Sequence, residues 1–149
     1  MPPDPAFAGR VYPPGPPYQV GREKLREFAA AVGASHPACF EPAAAQALGY
    51  PDVVAAPTFA AVIAQSAEAA YVGDPAAGVD FGRVVHAAES IRLERAIVAG
   101  DELTPTLRVL SVRQRAGIAQ VTTEVQLHDA ARGPVATVTS TLAVRGEPG

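Results

Sequence analysis

The stretch "PTFAAVIAQSAEAAYVGDP" (residues 57–75) and the run that follows it, "RVVHAAESIRLERAIV" (residues 83–98), decide the fold between them. Up to Gln65 the first is apolar on nearly all sides, the pattern of a buried helix. Pro57 suits its first turn, where a missing N–H costs nothing, and Gly73 follows its end. From residue 83 the periodicity becomes two. Three more runs continue the alternation at residues 102–117, 118–133 and 134–146, punctuated by Gly100-Asp101, Ala116-Gly117 and Arg132-Gly133. In the third run Thr122, Glu124 and Gln126 alternate with Val121, Thr123, Val125 and Leu127, as in a strand with one face buried. Helices first and a meander afterwards predict an α+β fold with an antiparallel sheet wrapped around a central helix.

Upstream, "VGREKLREFAAAVG" (residues 20–33) predicts an amphipathic helix. Val20, Leu25, Phe28 and Val32 fall on one face, and Gly33 is placed to end it. Pro37, Pro42, Pro51 and Pro57 then break any long element, leaving a short helical turn at 42–48 with Pro42 at its first position. Residues 1–18 are Pro-rich and predict an extended segment, lying along the surface or frayed. Nothing repeats internally, so residues 1–149 read as one domain.

The bulk properties narrow the function. With 149 residues, 48% of them apolar, the chain can bury a core, and its net charge of −3 gives no basic field for nucleic acid. One cysteine excludes an internal disulfide, and no uninterrupted run approaches the ~18 apolar residues of a membrane span. A cytoplasmic protein is the default expectation.

The chemically suggestive stretch is "GASHPACFE" (residues 33–41), which places His36 three positions from Cys39. A nucleophilic Cys39 needs a base, and His36 is the local candidate; a buried small hydrophobe beside Phe40 is the plainer reading. As metal ligands the two lack further partners at sensible spacing. His86, in the first long strand, reads either as a ligand contact or as a strand histidine satisfied by the backbone. His128, beside Asp129 and the turn at 130–133, reads as a solvated hairpin end. Arg92, Glu94, Arg95, Arg108, Arg113 and Arg115 read as the outer face of the sheet.

Three segments carry a resemblance: the "VGREKLREFA" helix, "ALGY" with "APTF", and "AGD" after the first long strand. Together they resemble the MaoC-like hotdog dehydratases, in the N-terminal, non-catalytic domain type. The chain is similar to the substrate-binding subunit of mycobacterial (3R)-hydroxyacyl-ACP dehydratase. The resemblance implies a hotdog fold, a dimer of hotdog units, and reversible dehydration of a (3R)-3-hydroxyacyl thioester on ACP or CoA, with no metal or redox cofactor. Catalytic members carry D-x-N-P-x-H after the first helix, an acid–base pair that moves a proton α to the thioester and helps water leave. With Pro37 as the anchor, Ala34 occupies the Asp position and Cys39 the His position, so no catalytic residue is expected in this chain. At the start of the buried helix, where A-H-G is common, the sequence reads Ala56-Pro57-Thr58. Pro57, Thr58, Phe59 and His86 are the expected substrate contacts.

The leading expectation is thus a substrate-binding subunit working beside a catalytic hotdog partner that bears Asp and His. Two alternatives stay open: a self-sufficient homodimeric hydratase or thioesterase with relocated residues, and a non-enzymatic binder of acyl or polyketide-like ligands.

Overall fold

The computed structural model describes residues 2–146; of the expected 1–149 domain, residue 1 and residues 147–149 lie outside the described part. Strand β1 (Tyr18–Gln19) and helices α1 (Arg22–Ala31) and α2 (Pro42–Ala47) precede the central helix α3 (Ala60–Val72). Strands β2 (Val84–Leu93), β3 (Glu102–Arg115), β4 (Ile118–Asp129) and β5 (Gly133–Arg145) follow. The sheet is antiparallel in the order β1-β3-β4-β5-β2 and curls around α3 as a half-barrel. Bulges between His86 and Ala88, Val109 and Ser111, and Leu127 and His128 bend the strands toward that curvature.

Local chemistry sets the element ends. Helix α1 stops where Gly33 takes φ 74, with its N–H donating to the Ala30 carbonyl (3.2 Å) and Ala34 N–H to that of Ala29 (2.8 Å). This double bond pattern satisfies carbonyls that the helix leaves free. Gly49, at φ 89, ends α2 in the same way, with Tyr50 N–H reaching Ala45. The β3–β4 hairpin turns on Ala116 and Gly117, both at positive φ, as a two-residue turn matched to strand twist requires.

The core lies between α3 and the concave face of the sheet. Ile63, Phe59 and Tyr71 meet Leu103, Leu107, Val121, Val125 and Val138, all buried. Before Gln65, where the sequence reads as apolar on nearly all sides, no residue of α3 is exposed; beyond that point the buried face continues through Glu68 and Tyr71, while Gln65, Ser66, Ala69 and Ala70 are exposed. The sheet closes over one side of the helix and leaves a groove between α3 and β2. In α1, Leu25 and Ala29 are buried, whereas Val32 is half exposed because it already sits in the cap.

The Pro-rich start runs beside β3. Gly9, Tyr12 and Gly15 donate their N–H groups to Val109, Leu107 and Pro105, and the prolines between them have no donor to offer the ladder. Tyr12 also donates its hydroxyl to Asp74 (2.9 Å), and the rings of Phe7 and Tyr12 pack on Tyr71. This segment and β1 cover the outer edge of β3. Among the described residues, β2 is then the sheet's uncovered edge, and it is largely exposed.

Candidate functional site

The loop after α1 is tightly built. His36 caps the single turn Pro37–Cys39: its Nδ1 accepts from Ala38 N–H (3.1 Å), and Cys39 N–H donates to the His36 carbonyl (3.0 Å). Arg26 Nε donates to the Phe40 carbonyl (2.8 Å), and Val54 N–H to that of Ala38. Cys39 is buried, and burial pushes its thiol pKa up, away from the thiolate a nucleophile needs. Ala34, half-buried at the head of the loop, presents a methyl group. The apparent His36–Cys39 cluster is therefore a capped turn.

At the start of α3, Pro57 and Thr58 are exposed, whereas Phe59 is fully buried with its ring edge-on to Phe28 (5.4 Å) and near Tyr18 (6.2 Å). Pro57 borders a cavity of about 210 Å³ shared with Tyr50, Ala56, Leu93 and Ile97. His86 lies elsewhere. It faces inward from β2 onto a groove of about 560 Å³ along the C-terminal half of α3, lined also by Gln65, Glu68, Val72, Phe81 and Leu142. The two cavities share no lining residue, so the structure separates His86 from Pro57, Thr58 and Phe59.

His86 also has a partner that its strand position hides. Its Nε2 lies 3.6 Å from Glu89 Oε2. Residues three apart on a regular strand face opposite sides. The bulge between His86 and Ala88 resets the register and turns both inward. Burial holds the Glu89 carboxyl above its ordinary range, and nearby Glu68 raises it further against the opposing pull of His86. Among the described residues no three His, Cys, Asp or Glu side chains gather as a metal site.

Two expected surface groups turn out to be structural. Arg95 leaves the outer face to bind Asp101 through both terminal nitrogens (2.8 and 3.1 Å) and Asp129 (3.2 Å). Asp101, its side chain fully buried, also accepts from Arg132 (2.7 Å) and from Val98 N–H (2.9 Å). Asp129 is buried and caps its turn by accepting from Ala131 and Arg132 N–H, while His128 beside it is exposed. The hairpin end is thus solvated at His128 and locked at Asp129. Glu68 is the residue that sequence reading passed over most plainly: it is 6% exposed, deep in the sheet's concavity. Its one signal in the sequence is a charge in the middle of an apolar helix.

No helix among the described residues is long and apolar enough to cross a membrane. Comparison with known proteins supplies the context. Residues 6–138 match the model of the FAS1-like dehydratase domain region. A UPF0336 protein of Leifsonia xyli is 47% identical over 99% of both chains. Among solved structures, a MaoC-like dehydratase superposes with TM-score 0.86 at 35% identity over 95% of this chain, which spans 43% of that longer one. The C-terminally truncated HadBC (3R-hydroxyacyl-ACP dehydratase) complex of Mycobacterium tuberculosis superposes with TM-score 0.81 at 32% identity, over 92% of this chain and 96% of the other. The ChsH1–ChsH2 complex of the same organism, at 19% identity and TM-score 0.72 over 93% and 98%, shares the fold. With the curled sheet around α3, these matches make the chain a hotdog protein of the FAS1-like, MaoC-type dehydratase family.

Proposed function

We propose that this chain is the non-catalytic, substrate-binding subunit of a (3R)-3-hydroxyacyl-thioester dehydratase or hydratase, a single hotdog domain acting in the cytoplasm beside a partner that carries the Asp/His pair. The observation that carries this reading is the loop at 33–41. Its backbone is ordered by a cap and cross-links, yet the two positions that match the catalytic pattern hold Ala34 and a buried Cys39. Neither exchanges a proton at neutral pH. Two of the structures that share this fold were solved as complexes, and the uncovered β2 edge is the place where a second hotdog sheet can pair with this one. The subunit's contribution to rate is then binding and positioning of an acyl-ACP or acyl-CoA substrate, with His86 on the groove beside α3 and Pro57 and Thr58 at the start of α3 as two separate contact points, and Phe59, fully buried, supporting the helix start from beneath.

One observation favours a second reading. The His86–Glu89 pair is an acid–base couple within the chain itself, as a self-sufficient homodimeric hydratase or thioesterase needs. It lies at the C-terminal half of α3, where helix carbonyls disfavour the developing enolate oxygen of such a reaction. The subunit reading is therefore preferred. Affinity purification of the full chain from its native cells tests it: recovery of a hotdog protein bearing D-x-N-P-x-H supports the reading, and recovery of homodimers alone opposes it.

A further inference from the structure

We infer that the outer face of the sheet, at the end where β3 turns into β4, docks an acidic amphipathic helix of a second protein. Among the described residues every Lys and Arg is ion-paired except Arg108, Arg113, Arg115 and Arg145. All four are exposed, and they alternate along β3 and β5 with the inward positions Leu107, Val112, Gln114 and Val144. The unpaired cations are thus gathered on one surface of a chain whose net charge is −3. Register closes them into a patch. Arg115 and Arg145 flank Ile118 as its partners on β3 and β5, and Arg113 lies one outward row further in, in line with Gln120, Ala143 and Val85. Ile118 is 45% exposed and Val85 54%. These two rows hold no carboxylate: Glu124 is the register partner of Arg108, and Asp80, near the same sheet end, is held by Arg83 (3.1 Å).

Spacing defines the partner. Neighbouring strands lie about 4.8 Å apart, so Arg115 and Arg145, on either side of β4, stand about 10 Å apart with Ile118 midway. A helix rises about 1.5 Å per residue, so positions i and i+7 on one face are also about 10 Å apart, and i+4 lies between them. Carboxylates at i and i+7 then meet the two guanidinium groups while an apolar side chain at i+4 covers Ile118. Arg113 adds to the same field. An outward-curving face does not enclose a small anion, whereas a helix laid across the strands touches all three positions at once. The rows carry no aromatic ring for a base to stack on, which with the negative net charge sets nucleic acid aside. A second copy of this chain does not supply the helix either: α1 carries Arg22, Lys24 and Arg26 beside Glu23 and Glu27, α2 carries no charge, and α3 carries Glu68 alone.

This inference stands apart from the dehydratase reading, since neither the loop at 33–41 nor the groove beside α3 enters it. NMR titration of the isotope-labelled full chain tests it. The probe is a stapled alanine-based helix with Glu at i and i+7 and Leu at i+4; one control replaces both Glu by Gln, and another moves the second Glu to i+5, off that face. The probe should saturate with a dissociation constant below about 1 mM at low salt, moving the signals of Arg113, Arg115 and Arg145 first. The i+5 control should bind about threefold more weakly, and the Gln control not measurably. Arg115→Glu should weaken the probe about tenfold and Arg145→Gln about threefold, both with an unchanged urea midpoint. Raising the salt to about 150 mM should loosen the complex. Equal affinity for the probe and either control, shifts centred away from the hairpin end, or full binding by Arg115→Glu overturns the inference. So does the absence of saturable binding, or binding of phosphatidylglycerol vesicles and not of the helix by this face.

Discussion

Asp101→Ala offers the sharpest test of how the segment between β2 and β3 is held to the β4–β5 hairpin. Asp101 ties the segment between β2 and β3 to the β4–β5 hairpin through Arg95 and Arg132, and its own backbone carbonyl accepts from Val20 N–H (2.8 Å). The side chain is fully buried; Arg95 is 25% exposed and Arg132 is 54% exposed. Removing one partner of a buried ion pair costs about 3–5 kcal/mol, because the other charge is left uncompensated. Arg132 can turn to water, and Arg95 keeps Asp129 at 3.2 Å, so the lower end applies. The expected loss is about 3 kcal/mol, read by urea unfolding at neutral pH with an unchanged denaturant slope. Arg95→Met should also destabilise, since it takes from the buried Asp101 and Asp129 carboxylates the cation they share. A loss below about 1 kcal/mol in Asp101→Ala refutes the reasoning, for Asp101 would then behave as an ordinary surface carboxylate.

Other consequences can be measured on the same chain. Burial and the raised thiol pKa predict that Cys39 reacts with an aromatic disulfide reagent far more slowly in the native protein than in urea; equal rates would show the turn to be open. Tyr12→Phe removes the hydroxyl that Asp74 accepts and should cost about 1 kcal/mol, seen as a lower urea midpoint. The Asp52 carboxyl is held below its usual range chiefly by Arg22, and that of Asp129 chiefly by the Ala131 N–H. A depressed native pKa gives stability that is complete above the unfolded value of about 4 and is lost as pH falls through the native one. The urea midpoint should therefore be flat near neutrality and drop below about pH 4, and Asp52→Asn should blunt that drop.

Much of this architecture is legible from local pattern. Period-two runs, the glycines at 33 and 49, Pro42 at a helix start and the Ala116-Gly117 turn each act within a few residues, so their chemistry can be read in sequence order. What escapes such reading is long-range. Arg95 has the spacing of an outward residue, and only folding brings Asp129 to it across 34 positions. His86 and Glu89 sit three apart, a spacing that opposes them on a regular strand, and a bulge places them together. Composition marks α3 as apolar on nearly all sides up to Gln65, but which face of its second half the sheet covers depends on where the sheet stops. Glu68 stands out in sequence only as an oddity; its meaning comes from Thr123, 55 residues away. The identities of Ala34 and Cys39 in the loop after α1, in contrast, are legible in sequence order alone.

The central claim is that this chain binds substrate and leaves the proton transfers to another subunit. The direct measurement is hydration of crotonyl thioester by the chain alone, by its complex with a dyad-bearing hotdog partner, and by that complex with the Asp or His of the partner's motif replaced. The account predicts no turnover by the chain alone, turnover by the complex, and its loss on substitution in the partner but not on Cys39→Ala in this chain. Turnover by the isolated chain that disappears with His86→Ala would contradict it.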